Sequence, residues 1–215
     1  MLKLYDYELS GNCYKVRLLL AILGLKYEVE TVEFYPGREH KGKRFLGINP
    51  FGQLPVLQDE DQIIGDSQAI LIHLAAKFDH SHQWYPYHQV EFLSEIQMWL
   101  AFAEKLTGSI SAARLHELFM YDFDAEDCRS RGYHLLKIMD RHLWKNRQLG
   151  RNYLCTPEAP TVADIACFPY IAMADEAGMS LQDYPSIRIW LDEIKRIPGF
   201  TVMSGIFPAG KSQQS

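Results

Sequence analysis

Cysteine is scarce in this chain, and what there is forms no pattern. Among 215 residues there are four, Cys13, Cys128, Cys155 and Cys167, with no C-x-x-C pair and no zinc-like spacing. A disulfide framework is therefore not what holds the fold, and reduced thiols in a cytoplasmic protein are the expectation. Long apolar runs are missing too: none approaches the roughly 20 residues that cross a bilayer, so no membrane partner is expected. Basic residues are in the minority, and a net charge of −5 spread along the chain argues against nucleic acid. The first residues include Asp6 and Glu8 and lack a secretory-signal pattern. His80-x-His82 with His88 comes without acidic or cysteine partners, so no metal is expected there.

What is present is a globular composition, 47% hydrophobic and 13% aromatic, long enough for one large domain or two small ones. Leu2 to Tyr7 reads as a strand. Val16, Leu19, Leu20 and Leu23 follow helical spacing, and Gly24 supplies a stop. Tyr27 to Phe34 reads as a second strand, which makes a βαβ unit. A polar, basic loop from Pro36 to Arg44 leads to a third strand headed by Pro55. A turn at Asp59-Glu60-Asp61, a short strand Gln62 to Ile64 and a helix carrying Ile70, Leu71, Leu74 and Phe78 complete this part.

Composition changes at residues 80–88, the best candidate for a linker between a unit 1–79 and a unit 89–215. Beyond it the periodicity is helical: Phe92 to Leu106, Leu135 to Leu143 and Ile187 to Ile194. The second unit reads as an all-α bundle. Within it, Thr161-Val162-Ala163-Asp164 fits a capping box, with Thr161 accepting from the N–H three residues on and Asp164 reaching back. The apolar run Ile165 to Met173 that follows should be the buried central helix.

Two short stretches carry the chemistry. Proline cannot donate to a sheet ladder, so Pro55 at the head of an apolar run marks a strand start or a shaped turn, with a cis bond as one option. Asp66 and Ser67 open an apolar helix, whose free N–H groups and partial positive charge suit a carboxylate. Asp66 also reads as an ordinary helix cap, as does Ser10 ahead of the first helix. Cys13 reads as a small packed helix residue.

Together and in this order, Asn49-Pro50-Phe51-Gly52-Gln53-Leu54-Pro55, Asp66-Ser67, Tyr153-Leu154 through Pro160-Thr161-Val162-Ala163-Asp164-Ile165-Ala166, Tyr184-Pro185 through Trp190-Leu191, and Pro198-Gly199-Phe200 resemble the cytosolic glutathione transferases, bacterial-type members with a Ser/Asn active-site region included. The resemblance covers nearly the whole chain. It implies an α/β thioredoxin-like N-terminal domain with a cis proline entering the third strand, followed by an all-α domain that supplies the acceptor pocket.

It also implies roles. Ser10 falls where the family places its thiol-activating hydroxyl, and Asn12 where bacterial members use Asn or Thr near the sulfur. His40 would face the glycine end of glutathione. Gln53, Leu54 and Pro55 would contact glutathione, Leu54 by backbone pairing with its cysteinyl part. Asp66, where the family usually has Glu, and Ser67 would take the γ-glutamyl end. Trp99, Phe102, Arg114 and Phe119 are candidates for the acceptor pocket, although Trp99 and Phe102 read first as core packing and Arg114 is the better candidate for a functional side chain; Phe51 reads equally as a contact in a homodimer and as local packing. The implied activity is conjugation of glutathione to small electrophiles, of the detoxification type. A glutathione-dependent isomerase, a peroxide or disulfide reductase, and a non-catalytic binding protein remain open.

Overall fold

The computed structural model describes residues 1–207 of the chain. Its first part orders β1 (Leu2–Asp6), α1 (Gly11–Ile22), β2 (Tyr27–Thr31), a 3₁₀ turn (Glu39–Lys41), α2 (Lys43–Leu46), β3 (Val56–Asp59), β4 (Gln62–Ile64) and α3 (Ser67–Phe78). The four strands form one mixed sheet in the order β2-β1-β3-β4. β1 and β2 pair in parallel, and β3 runs antiparallel to both β1 and β4, with Leu4 opposite Leu57. β1 lies inside the sheet, and Leu2, Leu4 and Tyr5 are buried accordingly. Gly24 sits at φ +64°, a left-handed geometry that suits glycine and ends α1.

β2 stops at Thr31, short of the Phe34 that the alternation suggests. It is an edge strand with Val29 exposed, and Val32 makes one more bond, to the Asp6 carbonyl, before the chain leaves the sheet. That departure frees Phe34 to face the site described below. The Leu54–Pro55 bond is cis, as the resemblance implies, and so is Tyr35–Pro36.

Residues 79–89 contain no helix or strand. The segment is nonetheless tied down. The Asp79 carboxylate accepts the Trp84 N–H at 2.8 Å, Trp84 is buried, and its carbonyl receives the Val162 N–H at 2.9 Å.

The second part holds α4 (Val90–Leu106), a π-helical turn (Thr107–Ser111), α5 (Ala112–Phe119), α6 (Ala125–Gln148), α7 (Val162–Ala172), a 3₁₀ turn (Ala174–Ala177) and α8 (Pro185–Lys195). Among the described residues its only strand-like feature is an isolated bridge between Met203 and Ile206. Residues 208–215, which the sequence reading assigned to this part, lie outside the described residues.

α7 is the central helix. Every residue from Val162 to Ile171 is buried, and it packs against α1, α3, α4 and α8. The capping box forms in both its halves, and the Thr161 hydroxyl also takes the Ala163 N–H at 3.3 Å. Asp164 accepts the Thr161 N–H at 2.9 Å and also the Leu154 N–H and the Trp190 indole N–H. A wholly buried carboxylate is tolerable only with such a set of donors.

Candidate active site

A cavity of about 380 Å³ lies where the loop after β1, the start of α3 and the α4–α5 segment meet, within the size range of small-molecule sites. Ser10 is at its floor as the N-cap of α1, its Oγ accepting the Cys13 N–H at 3.2 Å. The Ser10 hydroxyl lies at the cavity lining beside the buried Cys13 thiol, and its hydrogen can turn toward that sulfur or toward a ligand. Asn12, the second residue of α1, has its amide oxygen buried without a partner among the described residues. Cys13 is turned inward, and burial pushes its thiol up to about 12, far from a reactive thiolate.

Gln53 and Leu54 form one wall, with Pro55 buried behind them. Leu54 precedes β3 and takes part in no ladder or turn hydrogen bond, so its backbone groups are available to an extended ligand. The Gln53 carbonyl is held by the Asn49 amide at 2.9 Å. Gly52 is at φ +57°, and a Cβ there would come within 2.9 Å of the His40 carbonyl, so only glycine fits. His40 is buried in the wall with Nδ1 unpartnered, its ring stacked on Phe34 at 4.3 Å. Burial, with Lys41 and Arg38 nearby, lowers its pKa below the ordinary imidazole value.

Asp66 and Ser67 stand at the N-terminus of α3 on the cavity's other side. One Asp66 oxygen caps the helix, accepting the Ala69 N–H at 2.9 Å. The second oxygen and the free N–H groups of Ser67 and Gln68 offer an acceptor and donors together, which is what an amino-acid terminus requires.

Arg114 and Phe119 line the cavity; Trp99 and Phe102 do not. These two lie on the buried face of α4, Trp99 packed against Phe102 at 4.8 Å and His142 at 4.7 Å, and they belong to the core. Of the two readings the sequence offers for them, their surroundings match core packing. Helical periodicity cannot tell a face turned to α7 from a face turned to a cleft.

The family model for the glutathione S-transferase N-terminal domain matches residues 4–82. A crystal structure of a glutathione S-transferase from Pseudomonas fluorescens is 32% identical and superposes with a TM-score of 0.84, covering 94% of this chain and 98% of that one. This chain belongs to the glutathione transferase family. It is also similar to a maleylacetoacetate isomerase from Pseudomonas aeruginosa, at 29% identity over 93% of each, and to a glutathione S-transferase from Arabidopsis thaliana, at 26% over 94% of each.

In this transferase several cavity residues carry no sequence signal. Tyr7, Phe34 and Tyr121 form an aromatic wall, with Phe34 5.5 Å from Tyr7 and 6.1 Å from Tyr121. Tyr7 and Phe34 lie near strand ends and read as sheet residues, and Tyr121 falls in a stretch without periodicity. Tyr170, on the central helix, closes the floor so tightly that a Cβ at Gly11 would lie 2.6 Å from its ring.

Proposed function

We propose that the protein binds glutathione in this cavity, holds its sulfur as the thiolate and delivers it to small electrophilic molecules. The observation that carries this reading is Ser10: its hydroxyl is held at the start of α1 by the Cys13 N–H and lines the same cavity as the Asp66–Ser67 helix end. In this reading Asp66 and Ser67 take the γ-glutamyl group, and Gln53 and Leu54, shaped by Pro55, take the cysteinyl part. His40 is directed at the glycine end, and Arg114 and Phe119 belong to the acceptor side. A free thiol with a pKa near 8.5 is mostly protonated at neutral pH and only the thiolate attacks. A hydroxyl donor and the positive end of α1 both favour the charged form. The sulfur then bonds to the electrophilic carbon while the leaving group departs with its electron pair.

Ser10 is the first candidate donor by its place at the head of α1, and the Asn12 side-chain NH2, which lines the same cavity, is the second. The deciding experiment is ultraviolet titration of bound glutathione. Wild type should show the thiol pKa lowered. Ser10→Ala should raise it by about one to two units, because a hydrogen bond to a charged acceptor contributes about 1.5–3 kcal/mol. If Asn12→Ala reproduces that shift and Ser10→Ala does not, the roles are reversed. A bound thiol titrating like free glutathione in the wild type would count against thiol activation altogether.

A second reading keeps the site and changes the outcome: reversible addition of the thiolate to a conjugated double bond, rotation, and elimination. The similarity to a maleylacetoacetate isomerase along 93% of each chain favours it. Isomerisation of a cis-configured unsaturated diketo acid without net consumption of glutathione would distinguish it from transfer.

A further inference from the structure

Arg114 comes from the helical part but makes its hydrogen bonds around the loop that presents Ser10. It lies on α5, is 3% exposed, and its Nη1 donates to the Leu9 carbonyl at 2.9 Å. Its Nε donates to Glu176 at 2.5 Å, in the 3₁₀ turn after α7. The Leu9 carbonyl and the Ser10 N–H belong to one planar peptide unit. The other end of that unit is also held, since the Ser10 N–H donates to the Tyr7 carbonyl at 3.0 Å. A peptide plane pinned at both ends fixes the direction in which the Ser10 side chain leaves the chain. Glu176 is confined in turn by Gly205, at φ +81°, where any Cβ would fall 2.0 Å from its carboxylate oxygen.

We propose that Arg114, anchored by Glu176, is a positioning residue for Ser10: it sets the Leu9–Ser10 peptide plane and thereby aims the hydroxyl at the glutathione sulfur. This rests on the reading of Ser10 given above. The guanidinium is suited to the task because it presents its donors in a rigid planar fork. A lysine ammonium has the charge but cannot span both acceptors in that geometry.

The test combines Arg114→Met, Arg114→Lys and Glu176→Gln with Ser10→Ala in a double-mutant cycle. The readouts are the pKa of bound glutathione by thiolate absorbance, its dissociation constant by calorimetry, and the melting temperature. Arg114→Met should raise the bound-thiol pKa by about one unit, roughly a tenfold change in the thiolate-to-thiol ratio. Glutathione affinity should change little. Arg114→Lys should recover only part of the effect, and Glu176→Gln should show a smaller shift of the same sign. In the Ser10→Ala background none of these should shift the pKa further, because the route runs through Ser10.

Three results overturn the proposal. A lower melting temperature with unmoved pKa would make Arg114 a structural tie alone. A shift that persists without Ser10 would mean that its charge acts directly. A wild type whose bound thiol is not activated removes the proposal together with the function it rests on, and that outcome is separable because it appears before any substitution at Arg114. If Arg114→Met does not fold, Glu176→Gln decides, and an unmoved pKa there is decisive against.

Discussion

At Lys15 the fold buries an ammonium group that no acceptor among the described residues meets. The residue is fully buried in α1, its Nζ has no hydrogen-bond partner, and it lies 5.3 Å above the Tyr170 ring. Burial lowers its pKa to about 8 from the ordinary 10.5. The sign follows directly: between those values the unfolded chain holds more protons than the folded one, so stability rises with pH. Below pH 8 the penalty is present in full, about 3 kcal/mol for a shift of this size. Lys15→Met is expected to be at least as stable as wild type at pH 7 and to lose the rise between pH 8 and 10.5, measured by urea denaturation across that range. An unchanged pH profile would show that Lys15 is not the group responsible.

Asp66 requires a finer substitution than alanine, since it is a helix cap and a ligand candidate at once. Asparagine caps as well as aspartate does, so Asp66→Asn should leave α3 and overall stability nearly untouched. The loss of a charge-assisted contact should still weaken glutathione by about 1.5–3 kcal/mol, one to two decades in dissociation constant. Calorimetry showing no change would reduce Asp66 to its capping role. Residues of this kind were legible in the sequence because their chemistry is local: Ser10, Pro55, Asp66 and Ser67 each announce a turn or a helix start. Arg114 could be suspected from charge alone, but its partners Leu9 and Glu176 are far from it in sequence and only the fold joins them.

Among the elements, α7 was readable because capping signal and apolar run agree. Asp164 does more than the box requires, since it also holds the Leu154 N–H and the Trp190 indole. Asp164→Ala would strand these neutral donors in the core and should cost about 1–3 kcal/mol for each one left unsatisfied. Thr161→Ala should cost about 0.5–2 kcal/mol. Chemical denaturation of both variants checks the ranking, and equal losses would mean that the cap alone matters. The stretch from Thr107 to Phe119 was opaque for a physical reason: a π-helical turn changes the residues per turn, so the apolar positions of α4 and α5 fall out of one period. That turn brings Ser111, Arg114 and Leu115 to the cavity. The short 3₁₀ turn at Glu39–Lys41 and α2 are too brief to show any period.

On the scale of the whole molecule, the surface holds one large apolar group in an unusual place. Phe51 is 75% exposed on the tight turn between Asn49 and Gly52, beside a shallow depression that includes Ile48, Pro50 and Ile63. Nothing within the described chain covers it, although the turn itself is well tied, with the Phe51 N–H on the Asn49 amide oxygen. We infer a two-fold symmetric dimer in which this side chain enters the helical part of the partner, with the first turns of α4, where Val90 is exposed, among the contacts. In an isologous interface every contact occurs twice. Burying a phenylalanine contributes about 1.5–3 kcal/mol, so one substitution removes about 3–6 kcal/mol. That is roughly two to four decades in the dimer dissociation constant. Light scattering at micromolar concentration should therefore give a dimer mass for the wild type and a monomer mass for Phe51→Ala. The melting temperature of the variant should become independent of concentration, as expected once folding is no longer linked to association. A wild-type monomer would remove the dimer, and a variant that stays dimeric would move the interface away from Phe51.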